Sequence, residues 1–79
     1  MSQRALSQTE VDFVAIKNGT TEYYQVAFTV AELKTLEQEL RPLDAINDHN
    51  SKFLLTMDEI PETSHNGIRQ INALDWLLG

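Results

Sequence analysis

The N-terminal third of the chain carries two short runs of β-branched and aromatic residues, separated by a turn signal. The first run extends from Glu10 to Lys17 and is rich in Val, Phe and Ile, which favours a strand buried on at least one face. Asn18-Gly19 follows, and this dipeptide is the strongest short signal for a β-hairpin. Residues 22–28 are again aromatic and β-branched. The pattern therefore predicts two antiparallel strands joined by a tight turn.

After residue 28 the hydrophobic period becomes that of a helix. Thr29 and Glu32 fit a capping box at its start. Leucines then recur at spacings of three and four residues and form one apolar stripe, at positions 33, 36, 40 and 43. We interpret this stripe as a core-facing surface, with a coiled-coil face as the alternative. Because Pro42 has no backbone donor, we expect a break near residues 39–41 and a short continuation through Ile46.

The C-terminal part of the chain predicts two more strands and a last helical turn. Residues 52–57 are short and continuously apolar, as is typical of an interior strand. Residues 58–67 form a polar loop that ends in a second Asn-Gly turn, and residues 68–71 form a short strand. Asn72 is a candidate N-cap for the final turn. The predicted fold class is α/β, a small mixed sheet in the order β-β-α-β-β-α with a right-handed crossover through the helix.

Length and composition indicate a single small globular domain. The chain has 79 residues, of which 42% are hydrophobic, and contains no cysteine. Residues 1–8 show no hydrophobic period, so we expect a flexible N-terminal segment followed by one domain over residues 9–79. The absence of cysteine excludes disulfides and favours the reducing cytoplasm. No apolar run approaches the roughly 20 residues that a membrane-spanning helix needs.

The charge balance makes nucleic acid an improbable partner. Twelve acidic residues oppose six basic ones, which gives a formal net charge of −6. This sign is the wrong one for holding a phosphate backbone, and the basic residues are scattered along the chain.

Three polar side chains of the predicted hairpin are candidates for chemistry. Glu10 and Asp12 lie two residues apart and share one face of their strand. A hairpin centred on residues 18–19 brings Gln25 close to Asp12. The two acids are interpreted either as solvated residues at a strand end or as the remnant of a metal site.

Other polar residues carry weaker signals. His49 and His65 lie in predicted loops with no second ligand at metal spacing, so we interpret them as solvated. Asp58-Glu59 follows a predicted parallel strand, at the edge where open sheets place their ligands. A solvated start of a loop is the favoured interpretation there.

Five segments together resemble one protein family. The chain is similar to the C-terminal domain of unknown function found on predicted AAA-type ATPases, which has the restriction-endonuclease-like PD-(D/E)XK fold. The resemblance covers roughly residues 10–78 in the right order. The matching segments are Glu10-Val-Asp-Phe-Val-Ala15, Tyr24-Gln-Val-Ala-Phe28, Arg41-Pro-Leu-Asp-Ala-Ile46, Lys52-Phe-Leu-Leu-Thr-Met-Asp-Glu59 and Asn66-Gly-Ile-Arg-Gln-Ile-Asn72.

This resemblance implies a nuclease scaffold without a complete nuclease site. In active members of the wider superfamily, an Asp like Asp12 and an acid at position 25 bind Mg²⁺, and a lysine at position 27 positions the attacking water. Here these positions hold Gln25 and Ala27. We therefore expect no enzymatic activity, no cofactor and no bound metal, with Glu10, Asp12 and Gln25 as a vestigial site. The alternative is a divergent Mg²⁺-dependent nuclease that uses these three residues and Lys34.

The resemblance also implies partners. Family members carry an ATPase domain upstream, and the phosphate-binding loop of such a domain is not found in these 79 residues. A further strand usually precedes the Glu-Val-Asp-Phe strand, at the place of residues 1–8 here. We therefore expect a truncated core, part of a larger ATPase-associated domain, with an open sheet edge for a protein partner or self-association. A free-standing interaction module is the third interpretation. Residues 76–78 are expected to plug one face of the sheet or, if exposed, to mark an association surface.

Overall fold

The computed structural model describes residues 11–79, which form a mixed α/β domain of five strands and two helices. Residues 1–10, which include the predicted N-terminal segment and Glu10, lie outside the described residues. The elements in chain order are β1 (Phe13–Lys17), β2 (Thr20–Val26), α1 (Leu33–Asp44), β3 (Ser51–Thr56), β4 (Thr63–His65), β5 (Ile68–Asn72) and α2 (Ala73–Leu78).

The sheet has the strand order β1-β2-β3-β5-β4. β2, β3 and β5 are parallel to one another, whereas β1 and β4 pair antiparallel at the two edges. The predicted first hairpin is confirmed, with Lys17 opposite Thr20 across the turn. Asn18 and Gly19 both have positive φ, at 54° and 80°, as a type I′ turn requires.

The order of helices and strands along the chain differs from the predicted one by a single additional strand. The stretch predicted as a loop over residues 58–67 contains β4, which turns the second Asn-Gly pair into a hairpin with β5. Asn66 and Gly67 have φ of 53° and 85°. β4 consists of Thr63, Ser64 and His65, so it lacks the apolar alternation by which a strand is recognised in sequence. An edge strand that pairs on one side only does not need that alternation.

Helix α1 also differs from the prediction at both ends. It begins at Leu33 after Glu32, whose side chain makes no capping hydrogen bond, so the predicted capping box is not formed. Its twelve residues continue through Pro42 to Asp44, and neither the predicted break nor the continuation to Ile46 is present. Pro42 lies in the last turn of the helix, where the missing N–H removes a single bond.

The two faces of the sheet carry separate hydrophobic clusters. On one face α1 covers a cluster of Val30, Leu43, Leu54 and Ile68, with Leu36 and Leu40 packed against it. This confirms the leucine stripe as a core surface from Leu36 onward, whereas Leu33 is 68% exposed. The helix therefore turns three of its four stripe leucines toward the sheet.

The opposite face is aromatic and is covered by α2. Tyr24 stacks between Phe13 and Phe53, with ring centroids 5.0 Å from each. Trp76 of α2 lies tilted on Tyr24 at 5.3 Å. Leu77 and Leu78 are exposed and Trp76 itself is 39% exposed, so the predicted C-terminal plug is formed only in part, by the contact of Trp76 with Tyr24. No helix within residues 11–79 is long and apolar enough to cross a bilayer.

The start of α2 follows the sequence prediction closely. The Asn72 side chain accepts hydrogen bonds from the N–H groups of Leu74 and Asp75, at 2.9 and 3.1 Å. Its amide nitrogen donates to the backbone carbonyl of Asp58 at 3.0 Å. One side chain thus begins the helix and fastens it to the loop that follows β3.

Candidate functional site

Gln25 lies at the centre of the candidate site, near the carboxyl end of β2. Its side chain points to the face covered by α1 and is 8% exposed. A buried amide must find partners for both its oxygen and its nitrogen, because an unpaired polar group away from water costs about 1–3 kcal/mol. The Oε1 atom of Gln25 accepts the backbone N–H of Asp12 at 3.1 Å. The Nε2 atom donates to Oε1 of Glu39 at 3.2 Å.

Asp12 extends the pairing between the first two strands. The β1–β2 ladder ends with Phe13 opposite Tyr24, and Asp12 is the next residue outward. Its Oδ2 accepts the backbone N–H of Val26 at 2.8 Å. The side chain of Asp12 therefore occupies the place of a backbone acceptor, and together with Gln25 it fixes residue 12 against the end of β2. The predicted proximity of Asp12 and Gln25 is confirmed.

Glu39 is the third member of this site, and the sequence analysis missed it. It lies on α1, three residues after Leu36 and four before Leu43, which are both packed against the core. Residues three and four apart share one helix face, so a carboxylate at position 39 must lie beside the apolar stripe. An acid within a leucine stripe was the available signal. It brings a carboxylate toward the sheet at the position where Gln25 can donate to it.

The other proposed site residues do not join this group. Ala27 packs against the core under α1, and its N–H donates to the carbonyl of Leu55 at 3.0 Å. Lys34 is exposed in the first turn of α1. It precedes Glu39 by five residues, which corresponds to about 7.5 Å along the helix axis and about 140° around it. Lys34 is thus on a different side of α1 from the residue that contacts Gln25.

The polar atoms of the site are engaged with one another. Within residues 11–79, no group of three or more His, Asp or Glu side chains is arranged to hold a metal ion. In the same part of the chain, every buried side-chain nitrogen and oxygen has a hydrogen-bond partner. The observed contacts join β1, β2 and α1 through the side chains of Asp12, Gln25 and Glu39.

A second polar connection lies at the carboxyl end of β3. Asp58 accepts hydrogen bonds from the Thr29 hydroxyl and from the Val30 backbone N–H, the latter at 2.8 Å. These two bonds lower the pKa of Asp58. Asp58 is therefore not the solvated start of a loop. It ties the segment before α1 to the segment after β3, which also explains why Thr29 is not a helix cap.

A third connection lies at the opposite end of the sheet, before β3. Asp48 accepts hydrogen bonds from the Tyr23 hydroxyl at 2.8 Å and the Asn50 N–H at 2.9 Å, and it pairs with the Lys52 ammonium at 3.2 Å. Desolvation by burial acts to raise the pKa of Asp48. The hydrogen bonds from Asn50, Tyr23 and Lys52 outweigh this effect and lower the pKa to about 2. Asp48, His49 and Lys52 line part of a cavity of about 280 Å³.

The two histidines have different surroundings. His49 is exposed in the loop before β3, in accordance with the prediction. His65 belongs to β4, and its Nε2 lies 2.8 Å from Oε1 of Gln70, a buried residue of β5. The interpretation of His65 as a solvated loop residue is therefore wrong. It failed because the strand that places His65 beside Gln70 was not predicted.

Comparison with known proteins finds similarity between the chain and part of a longer protein. An uncharacterized protein of Haemophilus influenzae is 37% identical over 73 residues, which are 92% of this chain and 18% of the relative. The chain thus spans less than a fifth of that protein's length. No known protein family profile and no solved structure matches the chain.

Proposed function

We propose that the chain is a non-catalytic, restriction-endonuclease-like accessory domain of an AAA-type ATPase that acts in protein interaction, assembly or regulation. The observation that carries this proposal is the buried amide of Gln25. It stands where an active nuclease of the resembled superfamily has a carboxylate, and its two ends are committed to Asp12 and Glu39. These contacts support a structural role for the three residues.

The chemistry of the site supports the same conclusion. Mg²⁺ is held by hard anionic oxygens, and hydrolysis needs a cation or base beside the attacking water. The carbonyl oxygen of Gln25 is neutral and accepts the Asp12 N–H. Ala27 offers no ionisable atom and packs against the core. The site therefore serves as a connection between the strands and the helix, a role that does not depend on catalysis.

The link to an ATPase rests on the five segments that resemble its C-terminal domain. The Haemophilus relative is consistent with such an arrangement, because the match takes up 18% of its length and leaves room for further domains. A cysteine-free chain fits a cytoplasmic setting for this assembly. The reading frame upstream of Met1 tests the link directly, since an encoded phosphate-binding loop there is the expected result.

The second candidate is a divergent Mg²⁺-dependent nuclease. The observation in its favour is that Asp12 and Glu39 both contact the side chain of Gln25, Asp12 through its backbone N–H and Glu39 through its carboxylate. Lys34 was the proposed source of the missing positive charge, but it lies on another side of α1. This alternative therefore requires a base or cation other than Lys34.

Calorimetric titration with Mg²⁺ and Mn²⁺ decides between the two. The expected result is the absence of saturable binding to the chain and to Asp12→Asn alike. Tight stoichiometric binding that is lost in Asp12→Asn but kept in Glu37→Gln, an exposed acid on α1, would overturn the proposal. Metal-dependent cleavage of DNA or RNA with the same dependence on Asp12 would establish the nuclease.

A further inference from the structure

β1 is an end strand of the sheet, and no strand within residues 11–79 pairs with its outer side. Two of its apolar side chains lie on the face opposite the stack of Phe13 and Tyr24 and are exposed, Val14 by 47% and Ile16 by 73%. Helix α1 packs on β2, β3 and β5, so these two side chains lie beside its cover.

The turn geometry determines which backbone groups point outward. In the two-residue turn at Asn18-Gly19, the flanking pair Lys17–Thr20 is the hydrogen-bonded one. Hydrogen-bonded and non-hydrogen-bonded pairs alternate along an antiparallel ladder. Residues 13, 15 and 17 therefore direct their N–H and C=O groups toward β2. Those of Val14 and Ile16 point to the outer edge.

The two edges of the sheet differ in how they discourage pairing. β4 is three residues long and entirely polar. β1 has five residues, and its stretch from Phe13 to Ile16 contains no charge, no proline and no glycine. Short, polar or charged strands are the usual protection of a sheet edge. The one charge of β1 is Lys17 at its end, so the stretch from Phe13 to Ile16 has the features of an edge that pairs with another strand.

We propose that the outer edge of β1 binds β1 of a second copy of this chain, antiparallel and about a two-fold axis through Ala15. In this register Val14 of one copy is opposite Ile16 of the other, so the outward N–H and C=O groups of both residues are paired. Their side chains meet on one face, and each Ile16 covers a Val14. The five-stranded sheets become one continuous sheet of two copies.

The local charge of β1 does not oppose this contact between like molecules. Each copy has a formal net charge of −6, which opposes association in general. The segment from Phe13 to Thr21 contains no acidic residue and one lysine. Two copies that approach through β1 therefore bring together the part of the chain where carboxylates do not face each other. The inference rests on the proposed interaction role of the domain and names its partner.

The cysteine-free sequence allows a direct test. Ala15 of each copy forms the central, non-hydrogen-bonded pair, whose Cα atoms are about 4.5 Å apart. This distance lies within the roughly 4.4–6.8 Å that disulfides span. Ala15→Cys is expected to give a covalent dimer under mild oxidation. Ser64→Cys, an exposed position on the other edge strand, is the control and is expected to stay largely monomeric.

Sedimentation equilibrium of the 79-residue chain provides the second measurement. The chain is expected to dimerise, and Ile16→Lys is expected to weaken the dimer by about 10-fold or more, because each Val14 loses its apolar contact and lies opposite an ammonium group instead. Ile60→Lys changes a half-exposed residue in the loop before β4 and is expected to leave the dimer intact. Thermal melting of both variants checks that they fold.

Two results would overturn the proposal. The first is a chain that stays monomeric at its highest soluble concentration, including the case in which its own N-terminal residues hold the edge. The second is equal crosslinking at positions 15 and 64. Neither result concerns metal binding, so a dimer that binds Mn²⁺ through Asp12 would refute the non-catalytic function alone. A monomer without metal binding would refute the dimer alone.

Discussion

The amide of Gln25 donates to the carboxylate of Glu39 at 3.2 Å, which connects the second strand to the helix that covers it. The same amide accepts the N–H of Asp12 through its oxygen. A side chain that both donates and accepts can bridge a carboxylate and an N–H group, whereas a carboxylate in its place could only accept. A neutral amide at position 25 can therefore make both of these hydrogen bonds, whereas a carboxylate there could make only the one with the Asp12 N–H.

Gln25→Glu is predicted to destabilise the fold by about 1–3 kcal/mol. The substitution keeps the acceptor for the Asp12 N–H but replaces the donor to Glu39 with a second negative oxygen in a site that is 8% exposed. Urea denaturation at neutral pH measures the change in the free energy of unfolding.

The matched control exchanges the two side chains. In Gln25→Glu combined with Glu39→Gln, the new amide at position 39 can donate to the new carboxylate at position 25. The double variant is expected to recover most of the loss. Equal stability of Gln25→Glu and the original chain would show that the Gln25–Glu39 bond contributes nothing, and would remove the structural explanation for the amide.

Asp12→Ala is predicted to loosen the beginning of β1. The Val26 N–H loses the carboxylate oxygen that accepts it at 2.8 Å, at a cost of about 1 kcal/mol. Amide hydrogen exchange is expected to accelerate at Val26, while exchange at Leu54 in the central strand follows global stability alone. Asp12→Asn retains an acceptor oxygen, so it is expected to protect Val26 nearly as well as Asp12 does. Unchanged exchange at Val26 in Asp12→Ala would contradict this role.

The parts of the fold that followed from sequence are those fixed by local chemistry. Asn18-Gly19 predicts its hairpin because both residues tolerate the positive φ that the turn requires. Asn72 predicts the start of α2 because its side chain can accept the free N–H groups of the first turn. In both cases the deciding interactions are within three residues of each other.

The parts that did not follow depend on distant residues. Thr29 has the sequence context of a helix cap, but its hydroxyl donates to Asp58, twenty-nine positions later. β4 has no hydrophobic pattern, and its strand conformation depends on pairing with β5. Glu39 contacts Gln25 because of the rotation of α1 about its axis relative to the sheet. The leucine stripe shows roughly which side of α1 faces the sheet, but it does not fix that rotation closely enough to predict the contact. Tertiary contacts thus override local signals at these three places.

Gly67→Ala tests the hairpin that the sequence did not predict. Gly67 has φ of 85°, a conformation that a side chain disfavours, although an added Cβ would meet no atom within 4 Å. The cost is therefore one of backbone conformation, about 1–2 kcal/mol. Gly79→Ala, at a position without that constraint, serves as the control and is expected to be neutral. Equal effects of the two substitutions on thermal stability would argue against a tight β4–β5 turn.

Asp58→Ala is predicted to destabilise the fold more than Glu59→Ala. The first substitution leaves the part-buried N–H of Val30 and the Thr29 hydroxyl without their acceptor, at a cost of about 1–3 kcal/mol. Glu59 is an exposed neighbour, and its removal is expected to change stability by less than about 0.5 kcal/mol. Chemical denaturation of the two variants compares them, and equal free energies of unfolding would refute the role of Asp58.

Asp48 is predicted to make stability depend on pH in the acid range. Its pKa falls from an ordinary value of 3.8 to about 2 in the folded chain, because hydrogen bonds from Asn50, Tyr23 and Lys52 outweigh desolvation. A lowered folded pKa means that the unfolded chain binds the proton more readily. The stability that Asp48 contributes is thus present above its unfolded pKa and is lost as the pH falls through its folded value.

Comparison of the original chain with Asp48→Asn measures this contribution. The difference in the free energy of unfolding is expected to be constant above about pH 5 and to shrink between there and about pH 2. Because Asp48 is about one-third exposed, solvent screening keeps the difference small, about 1 kcal/mol or less. Glu37→Gln, an exposed acid on α1, should show no such convergence. A difference that stays constant down to pH 2 would mean that the bonds to Asp48 do not depend on its charge.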